Sequence, residues 1–345
     1  MSASLEPRLA AYVAGQMPHA SGVAVDSLAR ISGGASRETY RFRLTWTEGG
    51  QVRERKMILR RDPPASLIDT ERRIEFGAYR AFHGSAVPVP EMLWLEEGDG
   101  PLDHPFFIAE EIAGFQASPG LLWAEPYLGS HAALAERKWT ILGEIAKADP
   151  QAIGLAAIMP AVAPGDCWAR ELGYWEDVLD EDEAEPLPII RAAIRWLRAN
   201  PPPPPGRVGV VHGDYRTGNF LFDTQGGIHG VLDWEMAHLG DPLEDLGWSL
   251  NPVWTFGREL AGGLVPRDQA IAIWERASGL KADRGALHWW ELFNCVKAQA
   301  IWISSAAAWT SGGNREPIMV YPPWALQNAQ DRATLKVMGR LGGRL

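Results

Sequence analysis

The alternation of apolar and polar residues changes period along this chain, and the change divides it. Tyr40, Phe42 and Leu44 alternate with polar neighbours, and Met57 and Leu59 alternate with Lys56, Ile58 and Arg60. A period of two predicts strands with two distinct faces. Short apolar runs at residues 92–95 and 106–109 predict two more strands. Helical spacing marks residues 4–14, where Leu5, Leu9, Tyr12 and Val13 share a face, and residues 70–83, where Ile74, Ala78 and Phe82 recur. Val87-Pro-Val-Pro90 ends that second helix. Further along, helical patterns dominate, at residues 132–148, 170–179, 189–199, 269–278, 284–309 and 323–341. The acidic run 180–185 reads as a solvated loop and the five prolines 201–205 as a stiff extended spacer.

One stretch, residues 208–250, breaks the helical pattern. Three apolar runs, 208–211, 220–222 and 228–232, read as short strands, with Gln225-Gly-Gly227 as a hairpin turn. The first run ends in His212-Gly-Asp214, with Asn219 five residues after the aspartate, and the third ends in Asp233-Trp-Glu235. Two carboxylates and one amide at strand ends are hard oxygen ligands that suit magnesium. Two ionised carboxylates 4 Å apart repel by roughly 4 kcal/mol at an effective dielectric near 20. Bringing them together therefore calls for a cation or a shifted pKa. The protein-kinase catalytic loop uses the same logic and the same Asp-to-Asn spacing.

Composition narrows the partners. A chain of 345 residues can bury a sizeable core and suits two lobes better than one. The net charge, 33 − 43 = −10, argues against a nucleic-acid partner. Two distant cysteines, Cys167 and Cys295, fit buried thiols in a reducing cytoplasm. The first residues carry no pattern of a signal peptide, and no apolar run is long enough to cross a bilayer. The expected partner is a small molecule, with no nucleic acid and no membrane, and the oligomeric state is left open.

His-Gly-Asp-x4-Asn, Asp-Trp-Glu, Gly240-Asp-Pro242 and Asp245-Leu246 together resemble the aminoglycoside phosphotransferase and choline kinase superfamily. The wording is nearest to the phosphotransferase domains that in some proteins precede an acyl-CoA dehydrogenase domain. The resemblance implies an α+β, two-lobed protein-kinase-like fold: an N-terminal antiparallel sheet with one main helix, residues 1–112, and a larger, mostly helical C-terminal lobe, residues 113–345. It implies ATP and magnesium as well. Asp214 then becomes the base that accepts the hydroxyl proton, Asn219 and Asp233 the magnesium ligands, and Arg216 a contact to the γ-phosphate. Gly33, Gly34 and Ser36 read as a phosphate-approaching turn. Arg60 stands where the kinase pattern has lysine, and arginine can grip phosphate through two parallel hydrogen bonds. Lys56, roughly 13 Å away along the strand, is a poor substitute. Glu75 matches the helix glutamate that pairs with that cation. Glu110, Ile112 and the stretch to Gly114 are read as the hinge that meets adenine, with Leu221 below the base and Ile58 as a further nucleotide contact. His212 is read as a brace, and Asp241 and Asp245 as groups that bond loop backbone or cap a helix.

The expected activity is transfer of the ATP γ-phosphoryl group to a small-molecule hydroxyl, of hydroxyacyl type by resemblance. The alternatives are an antibiotic phosphotransferase, acting on aminoglycosides or macrolides, and a nucleotide-binding pseudokinase serving as a binding module. The tryptophans at 289, 290, 302 and 309 read as core or as an apolar acceptor wall.

Overall fold

The computed structural model describes residues 5–31, 38–62, 72–98, 100–312, 314 and 316–340. Gly33, Gly34 and Ser36 lie outside them. Helix α1 (Leu5–Gln16) leads into β1 (Ser21–Ile31), β2 (Glu38–Glu48) and β3 (Gln51–Arg61). Helix α2 (Arg72–Phe82) follows, then β4 (Met92–Glu96) and β5 (Phe106–Glu110). The five strands make one antiparallel sheet in the order β1-β2-β3-β5-β4.

The period-two pattern decides what each face of that sheet does. Met57, Leu59, Phe106 and Ile108 are sealed into a small core with Leu9 and Val13 of α1. Their neighbours Ile58, Arg60, Phe107 and Ala109 point the other way, into a cleft. Because Arg60 pairs in register with Phe107, burying one face of β3 forces its cation onto the other.

The rest of the chain is mostly helical: α3 (His131–Lys147), α4 (Cys167–Asp182) and α5 (Pro188–Ala199), then α6 (Leu243–Ser249), α7 (Arg267–Ser278), α8 (Arg284–Thr310), α9 (Tyr321–Ala325) and α10 (Gln327–Val337). Two expectations need correction. Residues 180–182 are the last turn of α4 rather than loop. Arg191 pairs with both Asp180 and Glu183, and that pairing offsets the crowding of like charges. Residues 323–341 are not one helix: the chain bends at Leu326 between α9 and α10, where Leu326 packs against Trp248, Trp254 and Trp302. Trp289 and Trp290 are core, whereas Trp302 belongs to that separate aromatic cluster. No helix among the described residues is long and apolar enough to cross a membrane.

Helix α3 packs along α7 through Gly143. A Cβ there would lie 2.5 Å from Ala277 Cβ and 2.9 Å from the Ser278 nitrogen. Helix backbone cannot give way as a flexible side chain can. Gly143→Val is expected to destabilise by ~1–3 kcal/mol, the usual cost of overpacking. A lower urea midpoint at unchanged slope would show it, and an unchanged midpoint would mean the helices separate freely.

Candidate active site

Three short strands deliver the motif residues. Strand β6 (Gly209–Val211) ends at His212, and it pairs with β9 (His238–Gly240), which is too short for sequence periodicity to reveal. The hairpin of β7 (Phe220–Phe222) and β8 (Ile228–Val231) carries Asn219 at its entrance and Asp233 just beyond its exit. The Leu232 N–H donates to the Asn219 carbonyl at 2.8 Å, so the two hairpin ends are tied together. Asn219 Nδ2 donates to the Asp214 carboxylate at 2.6 Å and to its carbonyl at 2.9 Å. All three motif residues are thus neighbours.

The loop between β6 and β7 is held from behind. Asp245 accepts the N–H groups of His212, at 2.6 Å, and Gly213, at 2.9 Å. Asp241 accepts from the Leu243 N–H and from the indole of Trp290. His212 Nδ1 accepts the Asp214 N–H at 3.2 Å, and Nε2 donates to the Leu232 carbonyl at 3.0 Å. Those partners fix the neutral tautomer. Burial pushes the imidazole down to about 4, so it braces and does not carry charge. Gly213 has φ +86°, and a Cβ on it would meet the Met236 carbonyl at 2.5 Å, so only glycine fits this turn.

Asp214 receives three donors: Asn219, the Trp248 indole at 2.8 Å and Arg216 Nε at 3.0 Å. Burial raises its carboxyl above the ordinary range; Arg216 opposes this and the nearby Asp233 charge adds to it. For Asp233 burial also acts upward, but Arg60 overcomes it and holds the carboxyl below its usual value. Two adjacent aspartates are therefore pushed in opposite directions. Asp233 sits at φ +68°, a left-handed conformation that aspartate tolerates, and its N–H donates to the Tyr79 hydroxyl on α2 at 2.8 Å.

Arg60 reaches down from β3. Its Nη1 lies 2.5 Å from Glu75 on α2, and its Nη2 lies 2.9 Å from Asp233 and 3.9 Å from Glu235. Glu75 is fully buried. Above Asp233 opens a cleft of about 810 Å³, lined by Ile58, Arg60, Glu110, Ile112, Leu221, Asn219 and Asp233, among others. Lys56 also lines it, at the end where its carbonyl accepts the Glu111 N–H, away from Asp233 along the strand. The Glu110 carboxylate is engaged by Arg55 and the Glu91 N–H, and its own N–H donates to the Glu91 carbonyl at 3.0 Å. Arg216 stacks over Trp254 at 5.0 Å.

Several partners were not legible in the sequence. Tyr79 is far from the motifs along the chain, and Trp248, three residues past Asp245, carries no signal that its indole turns back to Asp214. Lys297 had one: a lone cation inside a long apolar helix. It donates to the Gly213 carbonyl at 2.7 Å and pairs with Glu244, which also holds His238.

Comparison with known proteins decides the family. A model of the phosphotransferase enzyme family matches residues 27–280. The chain belongs to that family. Mouse acyl-CoA dehydrogenase family member 10 is 30% identical over 64% of this chain, which covers 20% of that protein. Viomycin phosphotransferase of Streptomyces vinaceus is 28% identical over 50% of this chain and 58% of that one. The chain spans between a fifth and a third of the acyl-CoA dehydrogenase family members it matches. Among solved structures, a Ralstonia eutropha protein assigned to the aminoglycoside phosphotransferases superposes with TM-score 0.72 over 98% of this chain and 99% of that one, at 21% identity. Aminoglycoside phosphotransferase APH(4)-Ia, in complex with ADP and hygromycin B, gives 0.59 over 97% and 99%, at 18% identity. These likenesses establish the kinase-like phosphotransferase fold.

The ion network behind the loop predicts a pH dependence. Burial alone would lower the His238 pKa, but Glu171 and Glu244 raise it to about 9, against the smaller opposing effect of Lys297. The folded state therefore holds this proton more tightly than the unfolded chain. Its stabilisation is complete below pH 6.5 and is lost as pH rises through 9. Thermal unfolding from about pH 6 to 10 should show this loss in the parent, and His238→Gln should flatten it. An unchanged slope in the variant would refute the assignment.

Proposed function

We propose that this phosphotransferase is an ATP- and magnesium-dependent kinase of a small-molecule hydroxyl. The observation that carries the reading is the arrangement of Asp214, Asn219 and Asp233 below a cleft roofed by Arg60. The donor set fits the metal. The Asn219 amide nitrogen is spent on Asp214, which leaves its carbonyl oxygen free among the described residues, and one Asp233 oxygen remains beyond Arg60. Both are hard oxygens. Asn219 and Asp233 would hold magnesium there, and its positive charge would offset that developing on the phosphoryl group.

The chain's own groups divide the remaining work. Asp214, partly buried with a raised pKa, takes the proton of the attacking hydroxyl and aims that oxygen for in-line displacement. Trp248 and Asn219 fix the carboxylate's orientation. Arg216, anchored on Asp214 through Nε, has its two terminal nitrogens available for the γ-phosphate. Arg60 keeps Glu75 and turns its other arm from Asp233 to phosphate when nucleotide enters. Ile58 and Leu221 sandwich adenine, and the backbone of residues 112–115, which makes no backbone–backbone hydrogen bonds among the described residues, offers it an edge. Gly33, Gly34 and Ser36 are assigned to the phosphates on their sequence alone. The boundary between lobes falls at residues 112 and 113.

For the acceptor, the match to acyl-CoA dehydrogenase family members supports a hydroxyacyl compound. The match to viomycin phosphotransferase supports the antibiotic reading. Polycationic antibiotics need free carboxylates, and three of the five acids in the densest acidic run, 180–185, are engaged: Asp180 and Glu183 by Arg191, Asp182 by Ser304. That favours the first reading.

Asp214→Ala should lower turnover by at least ~10²- to 10⁴-fold, the usual worth of a positioned base, and leave nucleotide affinity intact. Asp233→Ala should abolish magnesium-dependent nucleotide binding. Phosphate transfer screened over hydroxy acids, acyl-CoAs, choline and antibiotics is the assay. Full turnover by Asp214→Ala would remove the base assignment.

A further inference from the structure

Lys138, on α3, is fully buried, and its ammonium has no hydrogen-bond partner among the described residues. The other buried cations are engaged: Arg60 by Glu75 and Asp233, Arg72 by Asp62, Lys297 by Glu244 and Gly213. A buried amine without a partner is costly to keep charged, and it is free to receive an anion.

Among the described residues its surroundings supply donors, and the one charge that acts on it is the Arg216 cation. The Lys138 ammonium lies 4.6 Å from the Trp139 ring centroid. The indole N–H groups of Trp123 and Trp139 are also buried without acceptors. The turn Gly262–Gly263 lines the same place: a Cβ on Gly262 would lie 2.8 Å from the ammonium, and one on Gly263 2.6 Å from the Trp123 ring. Arg258, exposed, rests its guanidinium 3.7 Å from the Trp123 centroid. The catalytic loop adjoins this cluster, because the Tyr215 hydroxyl donates to the Lys138 carbonyl at 2.8 Å. Arg216 is close enough for its charge to act on Lys138. None of Lys138, Trp123, Trp139 or the two glycines lines the nucleotide cleft.

We propose that the acceptor of this kinase carries an anionic group, a carboxylate or a phosphate, and that Lys138 receives it in a subsite formed with Trp123, Trp139 and the Gly262–Gly263 turn. The proposal rests on the kinase reading above and names its substrate class. An anion there gives the orphaned Lys138 ammonium a partner and offsets the charge of Arg216. Arg258 is the group that gives way on entry. Burial, and then Arg216, push the Lys138 ammonium down to about 7, so it takes full charge when an anion arrives.

The test compares medium-chain hydroxy acids, their uncharged primary amides and their CoA thioesters as acceptors, for the parent and Lys138→Met. The parent should prefer the anionic acceptor by about 10- to 100-fold in kcat/KM, the worth of a charge-assisted hydrogen bond. Preference for the free acid identifies a carboxylate, and preference for the thioester identifies phosphate. Lys138→Met should erase the preference through KM. Its melting temperature should hold or rise, because an unpaired buried amine is gone. Equal use of acid, thioester and amide by the parent, or a preference that survives in Lys138→Met, would overturn the proposal. If no acceptor is phosphorylated, binding of acid, thioester and amide to the complex with magnesium and a non-hydrolysable ATP analogue separates the same outcomes. Acceptor-free ATP hydrolysis isolates the kinase reading: if it does not depend on Asp214, that reading fails, and if it does, a missing anion preference defeats this proposal alone.

Discussion

Arg60 is the residue through which the parts of this molecule are joined. One guanidinium reaches Glu75 on α2 and Asp233 at the end of the β7–β8 hairpin. Its position follows from elementary geometry: Met57 and Leu59 must be buried against α1, so a strand with period two turns Arg60 into the cleft. A lysine there has one point charge and cannot bridge two carboxylates in one plane as a guanidinium does. Arginine in place of the lysine of the kinase pattern therefore keeps the linkage and stiffens it. Charged groups this buried are sustained only when each is paired, which makes the linkage interdependent.

Behind the hairpin, a second set of buried charges holds the loop that carries Asp214. Asp245 takes two backbone N–H groups, Lys297 takes a carbonyl, and Glu244 joins Lys297 to His238. The loop is short and its backbone polar groups face protein, so they need partners from elsewhere in the chain. The Asp214 carboxylate is thus aimed by a scaffold, and two of its donors, Trp248 and Asn219, come from two different elements.

Much of this was legible before any geometry. The alternation in β2 and β3, the spacing in α2 and the long helices are strong periodic signals. His-Gly-Asp-x4-Asn and Asp-Trp-Glu located the site because strand ends aim side chains. What was not legible falls into two kinds. Three-residue strands such as β9 are shorter than any period, and at Leu326 the chain turns between two helices while packing against a cluster that includes Trp254 and Trp302, a tertiary contact no periodicity reveals. Partners such as Trp248 and Tyr79 reach the site only through tertiary packing. Lys138 was silent for the same reason: on α3 it reads as an ordinary helix lysine, and only its burial sets it apart.

If Asn219 and Asp233 hold the divalent ion while Arg60 bridges to phosphate, the metal's position and the arginine's partner must change together when nucleotide binds. A crystal structure with manganese and a non-hydrolysable ATP analogue, with the metal located by anomalous scattering, reads both at once. The expected result is a peak about 2.1 Å from oxygens of both side chains. Arg60 should by then have left Asp233 for the nucleotide, still paired with Glu75. A metal bound elsewhere in the cleft, with Arg60 unmoved on Asp233, would contradict this assignment.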